Sequence, residues 1–133
     1  MKKRSKLKIA KDKAWKVFSL YIRTKYADEN GMVECVTCGD VKPIKEMQAG
    51  HFLAGRGNAI LFDPRGVHPQ CYSCNVCKHG NIEEYYPFML ENYGQEVIDD
   101  LKRLKNGESP KRTVEHYEAL RFKYEKLIGE FDL

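Results

Sequence analysis

Residues 50–81 read GHFLAGRGNAILFDPRGVHPQCYSCNVCKHGN, and the rest of the chain is organised around them. The stretch holds His51 between small and apolar residues, then His68, then Cys71-x2-Cys74 followed at once by Asn75. A matching pair, Cys35-x2-Cys38, lies upstream, with 32 residues between Cys38 and Cys71. Zinc takes four tetrahedral ligands, and two x2-spaced thiolate pairs supply a closed, structural set. Such a site contributes on the order of 10–16 kcal/mol, ample to close a loop of this length. Reduced core cysteines would leave the paired spacing unexplained. Cys77 falls outside the two pairs and is expected to be a buried thiol.

Met32–Asp40, MVECVTCGD, reads as a knuckle that turns two thiolates toward one ion, with Gly39 at the position needing a positive φ. Pro43 stops any helix there. MQAGHF reads as a short strand, residues 55–58 and 63–66 as turns, and residues 47 to about 79 as a hairpin followed by a helix. Upstream, AKDKAWKVFSLYIRTKYA (residues 10–27) has Trp15, Phe18 and Ile22 at helical spacing, and its aromatic stripe is read as core. Downstream, Asn81 with Glu84 predicts a capped helix through Pro87 to Gly94, with Pro87 as a kink or division point. QEVIDDLKRLKN predicts another helix. Ser109-Pro110 predicts the start of a last one, whose stripe of Val114, Tyr117, Tyr124 and Leu127 should pack on the body or the first helix.

Composition narrows the function. No apolar run approaches the ~18–20 residues of a membrane span, and the basic start lacks an apolar signal core, so the expectation is a soluble, unexported, cytoplasmic protein. An odd number of cysteines in CxxC spacings argues against a secreted disulfide scaffold. The net charge of +4 is asymmetric. Residues 1–16 carry eight basic side chains against Asp12 alone, whereas the remainder has 15 basic and 18 acidic ones. A flexible cationic arm on a mildly acidic body is the form of a nucleic-acid binder, whose affinity comes from released counterions. Lys2, Lys3, Arg4, Lys6 and Lys8 are the candidates in the arm, and Arg56 and Arg65 in the turns.

A four-cysteine zinc site has no open coordination position, so any catalysis needs another group. His51 is that group: a histidine, ordinarily titrating near pH 6.5, can take a proton from water, and a divalent ion nearby can stabilise a pentacoordinate phosphate.

These residues resemble a known pattern. Cys35-x2-Cys38, Gly50-His51 and Cys71-x2-Cys74-Asn75 are similar to the HNH, or ββα-metal, nuclease superfamily with structural zinc. GHF, LFDPRGVHPQC, CN and KHGNIEEY, followed by YG and a Leu-rich helix, resemble the bacteriophage NinG (Rap) recombination proteins over roughly residues 30–105. The resemblance implies metal-dependent cleavage of branched DNA in phage recombination, in the host cytoplasm. By position, His51 matches the general base, Asn75 a metal-binding residue, and the four cysteines the zinc ligands. Many HNH nucleases carry an Asp or His ligand just before the base, where this chain has Gly50; their central Asn is Gly66 here. His68, then Asp63, are the expected replacements for the missing ligand.

The expected architecture is therefore one α+β domain: a basic arm (1–16), a zinc-stapled ββα-metal core (30–105) and a C-terminal helix (109–130). The expected function is a Mg²⁺- or Mn²⁺-dependent, structure-selective DNA endonuclease, with a homodimer as an allowed state. The rival is a non-catalytic zinc-ribbon-like DNA-binding or adaptor module.

Overall fold

The computed structural model describes residues 4–54 and 57–131. Helix α1 (Lys6–Lys25) leads into a small hairpin of β1 (Met32–Glu34) and β2 (Val41–Pro43). A second hairpin joins β3 (Gln48–His51) to β4 (Val67–Gln70). A π-helical turn (Ser73–Cys77) follows, and then α2 (Ile82–Asn92), α3 (Gln95–Asn106) and α4 (Val114–Gly129). The class is α+β, as the sequence implied. The expected helix after the second cysteine pair is only that one π turn, and the first full helix there starts at Ile82. Among the described residues no helix is long and apolar enough to cross a membrane.

From Lys6 onward the cationic N-terminal segment is helical rather than a flexible arm. Ser5 Oγ accepts from Lys8 N at 3.1 Å and caps α1, so the lysines from Lys6 onward stand on a helix. That cap satisfies one of the donors a helix start leaves unpaired. Arg4 and Lys8 share Asp12 at 2.9 and 3.0 Å, exposed pairs of the kind that contribute little and exchange readily for other anions. Lys2, Lys3 and Arg56 lie outside the described residues.

The buried side of α1 carries Ala14, Phe18 and Ile22; of the stripe its periodicity indicated, Phe18 and Ile22 are core, whereas Trp15 is only half-buried. Phe18 and Ile22 meet Ala49 and Val67 of the second hairpin and Tyr124 of α4, so α4 does pack on α1. A second cluster of Phe52, Ile60, Tyr85, Met89, Ile98 and Leu101 ties α2 and α3 to the loop between β3 and β4. A third surrounds the cysteines with Val33 and Met47. The second hairpin is thus covered on both faces: Ala49 and Val67 face α1, and His68 and Gln70, both fully buried, face away from it. Strands normally alternate buried and wet side chains; all four residues of β4 are buried here.

Two helix starts differ from the reading of the sequence. Asn81 stands at the start of α2 but in a left-handed conformation with no side-chain cap; its Nδ2 donates to Cys74 Sγ at 3.5 Å. α2 continues through Pro87. α4 starts at Thr113, whose Oγ1 accepts from His116 N at 3.1 Å, and not at Ser109-Pro110. Asn58 Nδ2 donates to Pro110 O at 3.0 Å and straps that segment to the loop between β3 and β4.

Candidate functional site

The four paired cysteines converge. Cys35, Cys38, Cys71 and Cys74 place their sulfurs within 4.8 Å of one another, although the two pairs come from different hairpins. Cys38 Sγ lies 3.7 Å from Cys71 Sγ. A tetrahedral ion with Zn–S bonds of about 2.3 Å requires sulfur–sulfur edges of about 3.8 Å, so the donor set fits zinc. Gly39 has φ +81°, the conformation expected of the knuckle.

Donors also point at the sulfurs: Asp40 N at 3.4 Å to Cys38, Cys74 N at 3.5 Å to Cys71, and the Asn81 amide on Cys74. Burial raises the Cys35 thiol, but the Thr37 hydroxyl and backbone N–H groups outweigh it and bring it down to about 6. Burial pushes Cys38 up to about 12 and raises Cys71. A bound cation removes that penalty by deprotonating coordinated thiols. Cys77, expected to be buried, is exposed and stands outside the cluster.

Next to this cluster lies an open groove of about 920 Å³. β3 forms its floor, α1 one wall, and the π turn with the loop after it the other. His51, Asn75 and His79 all line it. The His51 ring stacks on Trp15 (centroids 5.2 Å, 15° between planes), and its Nε2 lies 3.1 Å from Leu61 O. A carbonyl only accepts, so Nε2 carries the hydrogen and Nδ1 the lone pair of the neutral ring. Asn75 is held by its Nδ2, which donates to Gln48 Oε1 at 2.7 Å.

His79 was not singled out from the sequence. Its signal was available as Asn75-x3-His79, a one-turn separation that returns two side chains to the same side. Among the described residues, His79 and Asn81 are the non-glycine residues with positive φ, at 50° and 49°. Such backbone is uncommon outside Gly and clusters at functional positions.

His68 is not at this site. It is fully buried, with Nδ1 2.9 Å from the Tyr85 hydroxyl and Nε2 2.8 Å from the Tyr93 hydroxyl. Tyr85 spends its proton on Gly50 O at 2.8 Å, so His68 Nδ1 donates to Tyr85 and Nε2 accepts from Tyr93. Both ring nitrogens are used, which rules out the metal-ligand role expected of this residue. The relay instead anchors the carbonyl that precedes His51.

Burial, assisted by the charge of Lys25, lowers the His68 pKa to about 3. The unfolded imidazole takes up its proton near pH 6.5 and the folded one only near 3, so acidification between those values favours the unfolded state. Stability is complete above pH 6.5 and should fall by about 1.5–2 kcal/mol on going from pH 6.5 to 5 through this group alone. Urea unfolding at the two pH values should therefore give a steeper loss for the native chain than for His68→Gln; equal losses would contradict the assignment.

The same face explains Gly50. A Cβ there would fall 1.9 Å from Gln70 Oε1 and 2.7 Å from its Cδ. Gln70 cannot easily withdraw: it is fully buried, and its Nε2 donates to Gly80 O at 2.8 Å and Thr37 Oγ1 at 3.2 Å. It thereby links the second hairpin to the first cysteine knuckle and to the loop carrying His79. Gly50→Ala should cost about 1–3 kcal/mol through this overpacking. Gly50→Ala with Gln70→Ala should cost less than the two single changes summed, by urea midpoints. Strict additivity would show that the two residues do not compete for space.

The remaining turn candidates are committed elsewhere. Asp63 caps its own turn through Arg65 N and pairs with the Arg65 guanidinium at 2.8 Å. Arg65 reaches on to Asp100 at 2.9 Å, and these two acids raise its pKa further. Neither residue is placed as a metal ligand or an unpaired phosphate contact. Gly66, in the position of the expected Asn, packs under Leu101 and accepts from Phe52 N at 2.8 Å.

The family model described as Bacteriophage Lambda NinG protein matches residues 1–132. Protein ninG of Escherichia phage 933W is 30% identical over 97 residues, covering 72% of this chain and 47% of that protein. Protein ninG of Escherichia phage lambda is 28% identical (72% and 46%), and that of Salmonella phage P22 27% identical (72% and 46%). The chain thus spans about half the length of these relatives. No solved structure matches. With a family match over nearly its whole length and a four-cysteine cluster that fits zinc, the chain belongs to the bacteriophage NinG family.

Proposed function

We propose that this chain is a metal-dependent, structure-selective DNA endonuclease of the ββα-metal (HNH) type, acting on branched DNA in phage recombination. The observation that carries the reading is the convergence of His51, Asn75 and His79 on one open groove beside the cysteine cluster. Zinc on the four cysteines is structural. Asn75 Oδ1 and His79 would hold a Mg²⁺ or Mn²⁺ ion, which supplies charge stabilisation to the phosphorane and the leaving oxygen. His51 Nδ1 takes the proton of a water, the resulting hydroxide attacks phosphorus, and the P–O bond opposite breaks. Leu61 O and Trp15 hold the imidazole in the orientation and tautomer this step needs.

Gly50 removes one side chain from the ligand set of many HNH enzymes, and Gln70 fills the space that side chain would need. The ion would therefore rely on Asn75, His79, water and the substrate's own phosphate oxygens, so its binding is coupled to DNA. The basic face of α1 contacts backbone phosphates, which select shape rather than sequence. A homodimer would bring two such grooves to one four-way junction.

The test is incubation of the zinc-loaded chain with four-way and flapped DNA in Mg²⁺, in Mn²⁺ and in EDTA. Cleavage in either divalent metal and none in EDTA is the expected result. Binding without cleavage in every divalent metal would leave the zinc-ribbon-like DNA-binding module as the reading.

A further inference from the structure

The wall that α1 gives to the groove consists of Trp15, Ser19 and Arg23, at successive i+4 steps. Arg23 differs from the other arginines that make ion pairs. Arg4, Arg65, Arg103 and Arg121 each have an acidic partner. Arg23 has none among the described residues. Its Nε donates to Ser19 O at 3.1 Å and its Nη1 to Ile44 O at 2.8 Å, both neutral carbonyls. A guanidinium has five N–H donors, so three are left over.

Burial lowers the Arg23 pKa, as expected of a cation that is half out of water with no anion beside it. Two carbonyls therefore hold an uncompensated, partly desolvated positive charge in a fixed orientation at the edge of the groove. Partial desolvation weakens competition from water and strengthens a charge-assisted bond to an incoming oxyanion. Eight residues of helix separate Arg23 from Trp15, on which His51 stacks, a distance of about 12 Å along the axis. At a rise of about 3.4 Å per nucleotide on one strand, this is roughly three nucleotides.

We propose that Arg23 binds a DNA backbone phosphate flanking the cleaved bond and so sets the path of the bound strand along α1. The word cleaved rests on the nuclease reading above; the phosphate contact does not, because it can be indexed from the branch point of the DNA.

The experiment uses the full zinc-loaded chain, with Arg23→Gln and Arg23→Lys variants, on four-way-junction DNA. Binding is measured over a range of salt concentrations, and again with single methylphosphonates that neutralise one phosphate at a time. Arg23→Gln should bind about tenfold more weakly near 0.1 M salt, with a log–log salt slope smaller by about one. Arg23→Lys should keep the slope and recover part of the affinity. The native chain should lose affinity when one flanking phosphate is neutralised, and Arg23→Gln should be indifferent there.

An unchanged salt slope or an unchanged methylphosphonate map overturns the proposal, including when only the melting temperature falls, as for a simple strut to Ile44 O. A chain that binds no DNA overturns it as well. If Arg23→Gln does not fold, the native map and Arg23→Lys decide by the same criteria. Arg23-dependent binding without cleavage supports the phosphate site and rejects only the nuclease.

Discussion

His51→Ala is expected to lower cleavage of branched DNA by about 10²–10⁴-fold in kcat, the usual contribution of a positioned general base. Zinc content and DNA affinity should stay near those of the native chain. The side chain is only partly buried, and its losses include the stack on Trp15 and a hydrogen bond to Leu61 O. Neither supports the cysteine cluster, so folding and catalysis are separable at this position. The pH profile adds a second readout. The limb due to the base should vanish in the variant, while the acid limb due to unfolding, to which His68 contributes, should remain. Cleavage that persists at the native rate would remove His51 from the mechanism. Chelation needs one control: activity lost in EDTA should return on adding Mg²⁺ or Mn²⁺ alone if structural zinc has been retained.

Cys71→Ser and Cys74→Ser should each abolish stoichiometric zinc binding and unfold the region between the two knuckles. A structural zinc contributes on the order of 10–16 kcal/mol, and a domain of this size has only about 5–15 kcal/mol of net stability. Loss of the ion therefore exceeds what the rest of the core can absorb. The third apolar cluster has little beyond Val33 and Met47 around the sulfurs themselves. Cys77→Ser is the matched control, because Cys77 is exposed and outside the cluster. It should bind one zinc per chain and unfold within about 0.5 kcal/mol of the native protein. Metal analysis with circular dichroism checks all three variants. Zinc loss in Cys77→Ser would mean the ligand set is wrongly assigned.

The elements that were legible in advance obey short-range rules. Helical spacing placed Phe18 and Ile22 on the buried side of α1, and the same rule found the Tyr117–Tyr124 stripe of α4. The x2 spacing picked out the four cysteines that converge into one possible metal site, because two thiolates separated by a tight turn have few other uses. The misreadings arose where a distant partner intervened. Asn81 was predicted to cap a helix and does stand at its N-cap, but with a left-handed backbone and its amide turned to Cys74 Sγ it makes no side-chain cap. Ser109-Pro110 was predicted to start α4, but Asn58 ties Pro110 O down and the helix starts after Thr113 instead. From Lys6 onward the supposed flexible arm is helix, because Ser5 caps it and it continues into the turns whose Phe18 and Ile22 bury against Tyr124 and the hairpin.

By itself the sequence determined the four-cysteine scaffold, the hairpin and the candidacy of His51 and Asn75, all set by local spacing and turn chemistry. Only the tertiary structure decided between the histidines. His68 sits opposite Gly50 on the face where Tyr85 and Tyr93 enclose it, whereas His79 comes round on a left-handed loop to the groove that His51 faces. Tertiary structure also explains why residue 50 has no side chain, since Gln70, twenty residues away in sequence, occupies that volume. A pattern in sequence says which residues can do chemistry, but the face a strand presents and the partner that meets it are settled by packing across the whole chain.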